Sequence, residues 1–194
     1  MNTIDVRFGN QEVQLLKNMV GKVMTKYKCD PFFYSTAVFG IVGFVVEGNA
    51  FILTNTTRPM DYYGATEDVA VMNFSQTDEQ QICSMVEDNQ MIDTPVGKMI
   101  TGVDIVNEHQ KLFQDGTQTY DVQLTRGVIF YFEDASELSL EKNVWFSEDI
   151  TIGRGEGLLE RFTPADEFSD DWEGNYRGEC ERFIMHFSDN QKQA

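Results

Sequence analysis

The densest chemistry in this sequence is Asp166-Glu167-Phe168-Ser169-Asp170-Asp171-Trp172-Glu173, five carboxylates and two aromatic rings in eight residues. Oxygen donors in such number are what Ca²⁺ or Mg²⁺ would take, but the spacing is not that of a calcium loop. Neighbouring carboxylates perform acid–base catalysis only where a cleft drives their pKa values apart. Rings interleaved with charges do fit a docking surface, in which aromatic anchors supply affinity and a charged rim supplies steering. Asp166, Glu167, Phe168, Asp170, Asp171, Trp172 and Glu173 are therefore the candidate binding residues, with a plainly solvated loop as the other reading. No catalytic residue, metal ligand or cofactor is assigned.

The remaining reactive groups are sparse. His109 and His186 are the only histidines, and no Ser or Cys stands in a nucleophile setting such as G-x-S-x-G. Gly153-Arg154-Gly155-Glu156-Gly157 follows a strand, but it has neither phosphate-loop spacing nor a lysine, and Glu156 would repel a phosphate; it reads as a turn. Cys29, Cys83 and Cys180 are odd in number and share no close spacing, which suits reduced thiols in a cytoplasm. The pairs Glu67-Asp68 and Glu148-Asp149, each preceded by aromatic residues (Tyr62-Tyr63 and Trp145-Phe146), are the other carboxylates that a groove would collect.

Charge narrows the partners. The net charge is −17, and it is uneven: residues 1–60 hold 6 Lys/Arg against 4 Asp/Glu, while residues 61–194 hold 9 against 28. Nucleic acid is not an expected partner, since phosphate affinity comes from Lys and Arg. A basic protein is. The N-terminus has no basic-then-apolar leader, and the most apolar run, Ala37 to Val46, is well short of the ~20 residues of a membrane-spanning helix. A cytoplasmic location with no membrane partner is expected.

The elements that must carry these residues show an ordered repeat. Val20-Gly21-Lys22 returns as Val96-Gly97-Lys98. The run Ile41 to Glu47 followed by Phe51-Ile52-Leu53 returns as Val128 to Glu133 followed by Leu138-Ser139-Leu140. Glu67-Asp68-Val69-Ala70-Val71 returns as Glu148-Asp149-Ile150-Thr151-Ile152. Matched strand-like blocks in one order point to a duplicated β unit. A short helix capped by Asn10 runs through Met19 and ends at Gly21. Gly48-Asn49 signals a hairpin, Asn55 to Gly64 a polar loop before the strand Asp68 to Phe74. Thr77-Asp78-Glu79-Gln80 resembles a capping box, which predicts a connecting helix ending near Asn89. The second copy inserts polar residues around Asn107 to Gly116, with an Asp115-Gly116 turn signal, and a last strand spans Glu181 to Phe187.

These readings give a mainly β protein: two tandem, duplicated antiparallel units, each resembling an SH3-like or Sm-like small barrel, packed together with short connecting helices. The alternative is one pseudo-symmetric β-sandwich or barrel. The parts are 1–75 (first unit with its helix), 76–95 (helical connector), 96–160 (second unit) and 161–194 (acidic loop and final strand). The expected function is a non-enzymatic binding protein, such as an acidic inhibitor or immunity-type protein docking on a basic partner. Two others stand beside it: a small-molecule- or cation-dependent enzyme using carboxylates between the β units, and a structural module forming homo-oligomers through sheet edges.

Overall fold

Three tight turns organise the chain. Glu47-Gly48, Tyr63-Gly64 and Asp115-Gly116 each place two consecutive residues at positive φ, the conformation whose twist matches that of the strands it joins. In the computed structural model, which describes residues 3–32, 35–144, 146–170 and 172–189 and all of their side chains except that of Tyr62, these turns separate long antiparallel strands.

The elements in order are β1 (Ile4–Val6), α1 (Asn10–Lys17), β2 (Val23–Cys29), β3 (Ala37–Phe39), β4 (Ile41–Val46), β5 (Asn49–Tyr62), β6 (Ala65–Thr77), β7 (Ile92–Gln114), β8 (Thr117–Phe132), β9 (Glu137–Lys142), β10 (Asp149–Gly155), the short helix α2 (Glu167–Asp170) and β11 (Tyr176–Ser188). The protein is mainly β, as its sequence implies. All eleven strands join in one sheet of order β3-β10-β9-β8-β7-β2-β4-β5-β6, with β1 added parallel to β8 and β11 antiparallel to β7.

Within that order lie two four-stranded meanders, β2-β4-β5-β6 and β7-β8-β9-β10, meeting at the β2–β7 pair. The matched sequence blocks occupy corresponding strands: β4 into β5 and β8 into β9, then β6 and β10. The two V-G-K blocks face each other at the junction, where Gly21 N–H donates to the Ile100 carbonyl (2.8 Å) and Met24 pairs with Lys98. The main core gathers apolar residues from both meanders, including Phe44, Phe74, Ile105, Phe130 and Leu140, with Leu16 and Met19 from the α1 region.

Local readings differ from the structure in four places. Gly9, not Asn10, caps α1; its N–H is taken by the Glu12 carboxylate (2.8 Å) and the helix stops at Lys17. The first hairpin turns at Glu47-Gly48, so Asn49 already belongs to β5. Residues 55–62 form no loop, because their backbone pairs fully with β6; Pro59, lacking an N–H, lies beyond the stretch of β5 that pairs with β4. The connecting helix is a single 3-10 turn, Glu79–Gln81. Asp78 makes no side-chain cap there, and Ile82 is buried against Gly43, where an added Cβ would lie 2.5 Å from its Cγ2. Tertiary packing thus overrides the local helix signal.

Candidate binding pocket

The side chains of β7 alternate between two environments, as a strand requires. Val103 and Ile105 face the main core, whereas Val106 packs with Ile129 and Phe162 on the opposite face, and Glu108, Gln110 and Leu112 continue that outer face. On β8 the phase must change to match: Val128 and Phe130 face the main core, while Tyr120, Val122 and Leu124 form a second cluster with Leu112. A bulge makes the change. Val106 pairs with Gly127 and Asn107 with Thr125, leaving Arg126 as the extra residue.

Residues 157–170 return across this outer face. The Glu137 carboxylate accepts from the N–H groups of Gly157 (3.1 Å) and Leu158 (2.7 Å). Phe162 then seats on Gly127, where an added Cβ would lie 2.8 Å from its ring and would strike the Leu140 carbonyl. Thr163 is held on both sides, its N–H donating to Glu141 Oε1 (2.8 Å) and its carbonyl accepting from Arg182 (2.5 Å). At the far end Trp172 and the Phe168 carbonyl lie against Gly178 of β11, a second position with no room for a Cβ.

Between this cover and the sheet remains a pocket of about 420 Å³, within the range of small-molecule sites. Its walls are Leu124, Pro164, Ala165, Phe168 and Trp172, with the exposed Val144 and Phe146 on the β9 side. Its floor is charged and buried: Glu108 and Lys142 are each 2% exposed, and Arg126 is 8% exposed. Glu108 pairs with Arg182 (2.5 Å) and accepts from Gln110 (3.0 Å). Arg126 pairs with Glu141 (3.1 Å) and donates to the Asn143 carbonyl (2.6 Å). Lys142 donates to the Ala70 carbonyl. Burial, aided by the nearby Arg126 charge, lowers the Lys142 amine from its ordinary range to about 7. Burial, and then Glu108, pushes the Cys180 thiol up to about 12.

The acidic segment divides in two here. Phe168 is half-buried and meets Trp172, itself 38% exposed, edge to face (5.8 Å between centroids); Phe168 also stacks on Tyr120 (5.9 Å), and Glu167 joins them on the pocket wall. Asp166, Asp170 and Glu173 are exposed beside the mouth. Asp171 lies outside the described residues, as does Trp145 of the aromatic pair. Tyr63 packs against Tyr120 (5.7 Å) and its hydroxyl meets the Asp121 backbone.

The other candidates are held separately. His109 pairs with Asp121 (2.8 Å), while His186 pairs with Asp104 (2.6 Å), which also accepts from the Tyr131 hydroxyl (2.6 Å). Glu148 accepts from the Thr57 backbone (2.5 Å) and hydroxyl (2.9 Å), and Glu67 and Asp68 stay exposed on β6. Among the described residues no three His, Cys, Asp or Glu side chains are arranged to hold a metal.

Sequence reasoning missed Glu108, Gln110, Arg126, Lys142 and Thr163. One signal was present: Arg126-Gly127 interrupts an apolar strand, and a lone glycine inside a strand marks a bulge or a close approach. No helix is long and apolar enough to cross a membrane among the described residues. Comparison with protein-family models, curated proteins and solved structures finds no match for this chain.

Proposed function

We propose that this protein is a ligand-binding protein that holds one small, mostly apolar molecule between β7–β9 and the cover at residues 157–170. The observation that carries the reading is the pocket of about 420 Å³ whose apolar walls stand over the buried Arg126, Lys142 and Glu108. Apolar walls with a few fixed polar groups are the usual composition of a small-molecule site. Filling the space recovers hydrophobic free energy, and Arg126 and Lys142 orient an oxygen-bearing end of the ligand.

The test is a thermal-denaturation panel of medium-chain and aryl carboxylates, alcohols and aldehydes on the wild-type protein and on Ala165→Trp, which fills the pocket from its wall. A ligand at about 100 times its Kd stabilises by about 2.7 kcal/mol, a readily measured rise in Tm. At least one class raising Tm in wild type but not in Ala165→Trp supports the reading. Equal shifts in both, or none, overturn it.

A second reading, docking of a basic partner, is favoured by the exposed Asp166, Asp170 and Glu173 beside the mouth. Phe168 is half-buried against Tyr120, but Trp172 is exposed beside these carboxylates, and a charged surface of this kind shows itself by salt-sensitive capture.

A further inference from the structure

Free edges of the sheet belong to β1, β3, β6 and β11. Such an edge is a template for another strand unless it is short, covered or guarded by charge. β1 and β3 have three residues each. β6 carries the exposed Glu67 and Asp68 and is flanked by α1, whose Glu12 accepts from Asn73 (2.8 Å). From Phe183 to Met185, β11 has none of these safeguards. It runs for 13 residues, pairs with β7 alone among the described residues, and exposes Phe183 (46%), Ile184 (45%) and Met185 (41%), the longest run of exposed large apolar side chains there. Its two arginines balance its two glutamates, in a chain whose net charge is −17. We propose that β11 is a dimerisation edge, which pairs antiparallel with β11 of a second copy of this chain about a two-fold axis at Ile184.

The strand is complementary to itself in that register. A two-fold axis normal to the sheet keeps every residue on its own face, so residues that meet across it share a face. Met185 lies beside Ile105 on the core face and Ile184 beside Val106 on the outer face. With the axis at Ile184, Ile184 meets its own copy, and Phe183 of each chain meets Met185 of the other. All three exposed apolar side chains are thereby covered, and outward N–H and C=O groups between Cys180 and Ser188 gain partners. The same register sets Glu181 opposite Phe187 of the second copy, over whose ring Lys17 Nζ stands (5.9 Å to the centroid). Neither Glu181 nor Lys17 has an ion-pair partner among the described residues, and here they pair with each other across the axis. Arg182 and His186 also face each other, each beside a carboxylate of its own chain, Glu108 and Asp104. Moving the axis to Phe183 would set Ile184 against Arg182, and moving it to Met185 would set Glu181 against Asp189. The paired stretch is separate from the pocket, whose Trp172 sits at Gly178.

The test is sedimentation velocity on the full chain at rising concentration, up to about 100 μM, where an interface with a Kd in the micromolar range is mostly formed. Wild type should sediment as a closed dimer. Ile184→Lys sets two like charges against each other on the axis and should weaken association by about tenfold or more, and Ile184→Glu should do the same. An equimolar mixture of the two variants should recover the dimer, because lysine then faces glutamate. Phe39→Lys, on the separate edge β3, replaces an apolar side chain of similar exposure (39%) and should leave the dimer intact. A monomeric wild type overturns the proposal, as do undiminished dimerisation of Ile184→Lys, assemblies larger than a dimer, or loss of the dimer in Phe39→Lys. A mixture that fails to recover the dimer overturns the two-fold pairing at Ile184. Hydrogen exchange on wild type decides the matter even if the variants do not fold: amides between Cys180 and Ser188 should lose protection on dilution, and exchange there that is independent of concentration contradicts the dimer.

Discussion

After its last strand, each meander sends a segment back across its own outer face. Residues 78–91 return over β4, with Ile82 seated on Gly43, and residues 157–170 return over β8, with Phe162 seated on Gly127. Beneath the first, Ile82 packs with the aliphatic Ala50, Met91 and Ile41, the buried Asp30 accepts from the Ser84 hydroxyl (2.9 Å), and Val86 to Asn89 border a recess of about 370 Å³. Beneath the second lie Glu108, Arg126, Glu141 and Lys142. Buried charges need partners and cannot be sealed under aliphatic groups without a large penalty. The second cover is accordingly pinned by Glu137, Glu141 and Arg182 at its backbone, and it stands clear of the floor. Two closures of similar plan thus differ in what lies beneath them: an aliphatic contact with one buried carboxylate beside it under the first, and four buried charged side chains under the second.

Five single substitutions break or sharpen this contrast. The largest effect belongs to Arg126→Met, which leaves Glu141 buried without its cation and should cost about 3–5 kcal/mol in urea unfolding. The double variant Arg126→Met with Glu141→Gln should recover much of that loss. Next come the two glycine seats: Gly127→Ala drives a methyl into the Leu140 carbonyl, a backbone atom, and should cost about 3 kcal/mol, whereas Gly43→Ala meets only the Ile82 side chain and should cost about 1–2 kcal/mol.

A smaller effect is read from pH. Burial holds the folded Lys142 amine near 7, below its ordinary 10.5, so between those values the unfolded chain binds the proton that the folded chain does not. Wild-type stability should therefore rise with pH across that window, by roughly 1 kcal/mol between pH 7.5 and 8.5, and Lys142→Met should lack that rise. Denaturant titrations at the two pH values check it. Smallest is Lys26→Ala in the first meander: Lys26 meets Glu79 (2.6 Å) and Asp93 (2.5 Å) at the surface, and its loss should cost less than about 1 kcal/mol.

The sequence was legible where local chemistry decides the outcome. Asp115-Gly116 turns the hairpin that it signals, the alternation from Val128 to Leu140 forms β8 and β9, and the matched blocks fall on corresponding strands. It was illegible where distant groups decide. The polar run Asn55 to Tyr62 is a strand only because β6 supplies its partners, and the capping signal at Thr77 gives way to the burial of Ile82. The pocket is of the second kind. Phe168 and Trp172 stand out in the sequence for their chemistry, yet their seating against Gly178 depends on β11, and Arg126 and Lys142 come together only when β8 and β9 lie side by side.

The most direct test of an open, ligand-competent second closure is a titration with anilinonaphthalene sulfonate, an anionic aromatic dye that brightens in apolar sites, on natively folded wild type, Ala165→Trp and Ile82→Ala. The account predicts one saturable site per chain in wild type, its loss in Ala165→Trp, and its retention in Ile82→Ala. No saturable site in wild type, or undiminished binding when Ala165 is replaced by tryptophan, would contradict it.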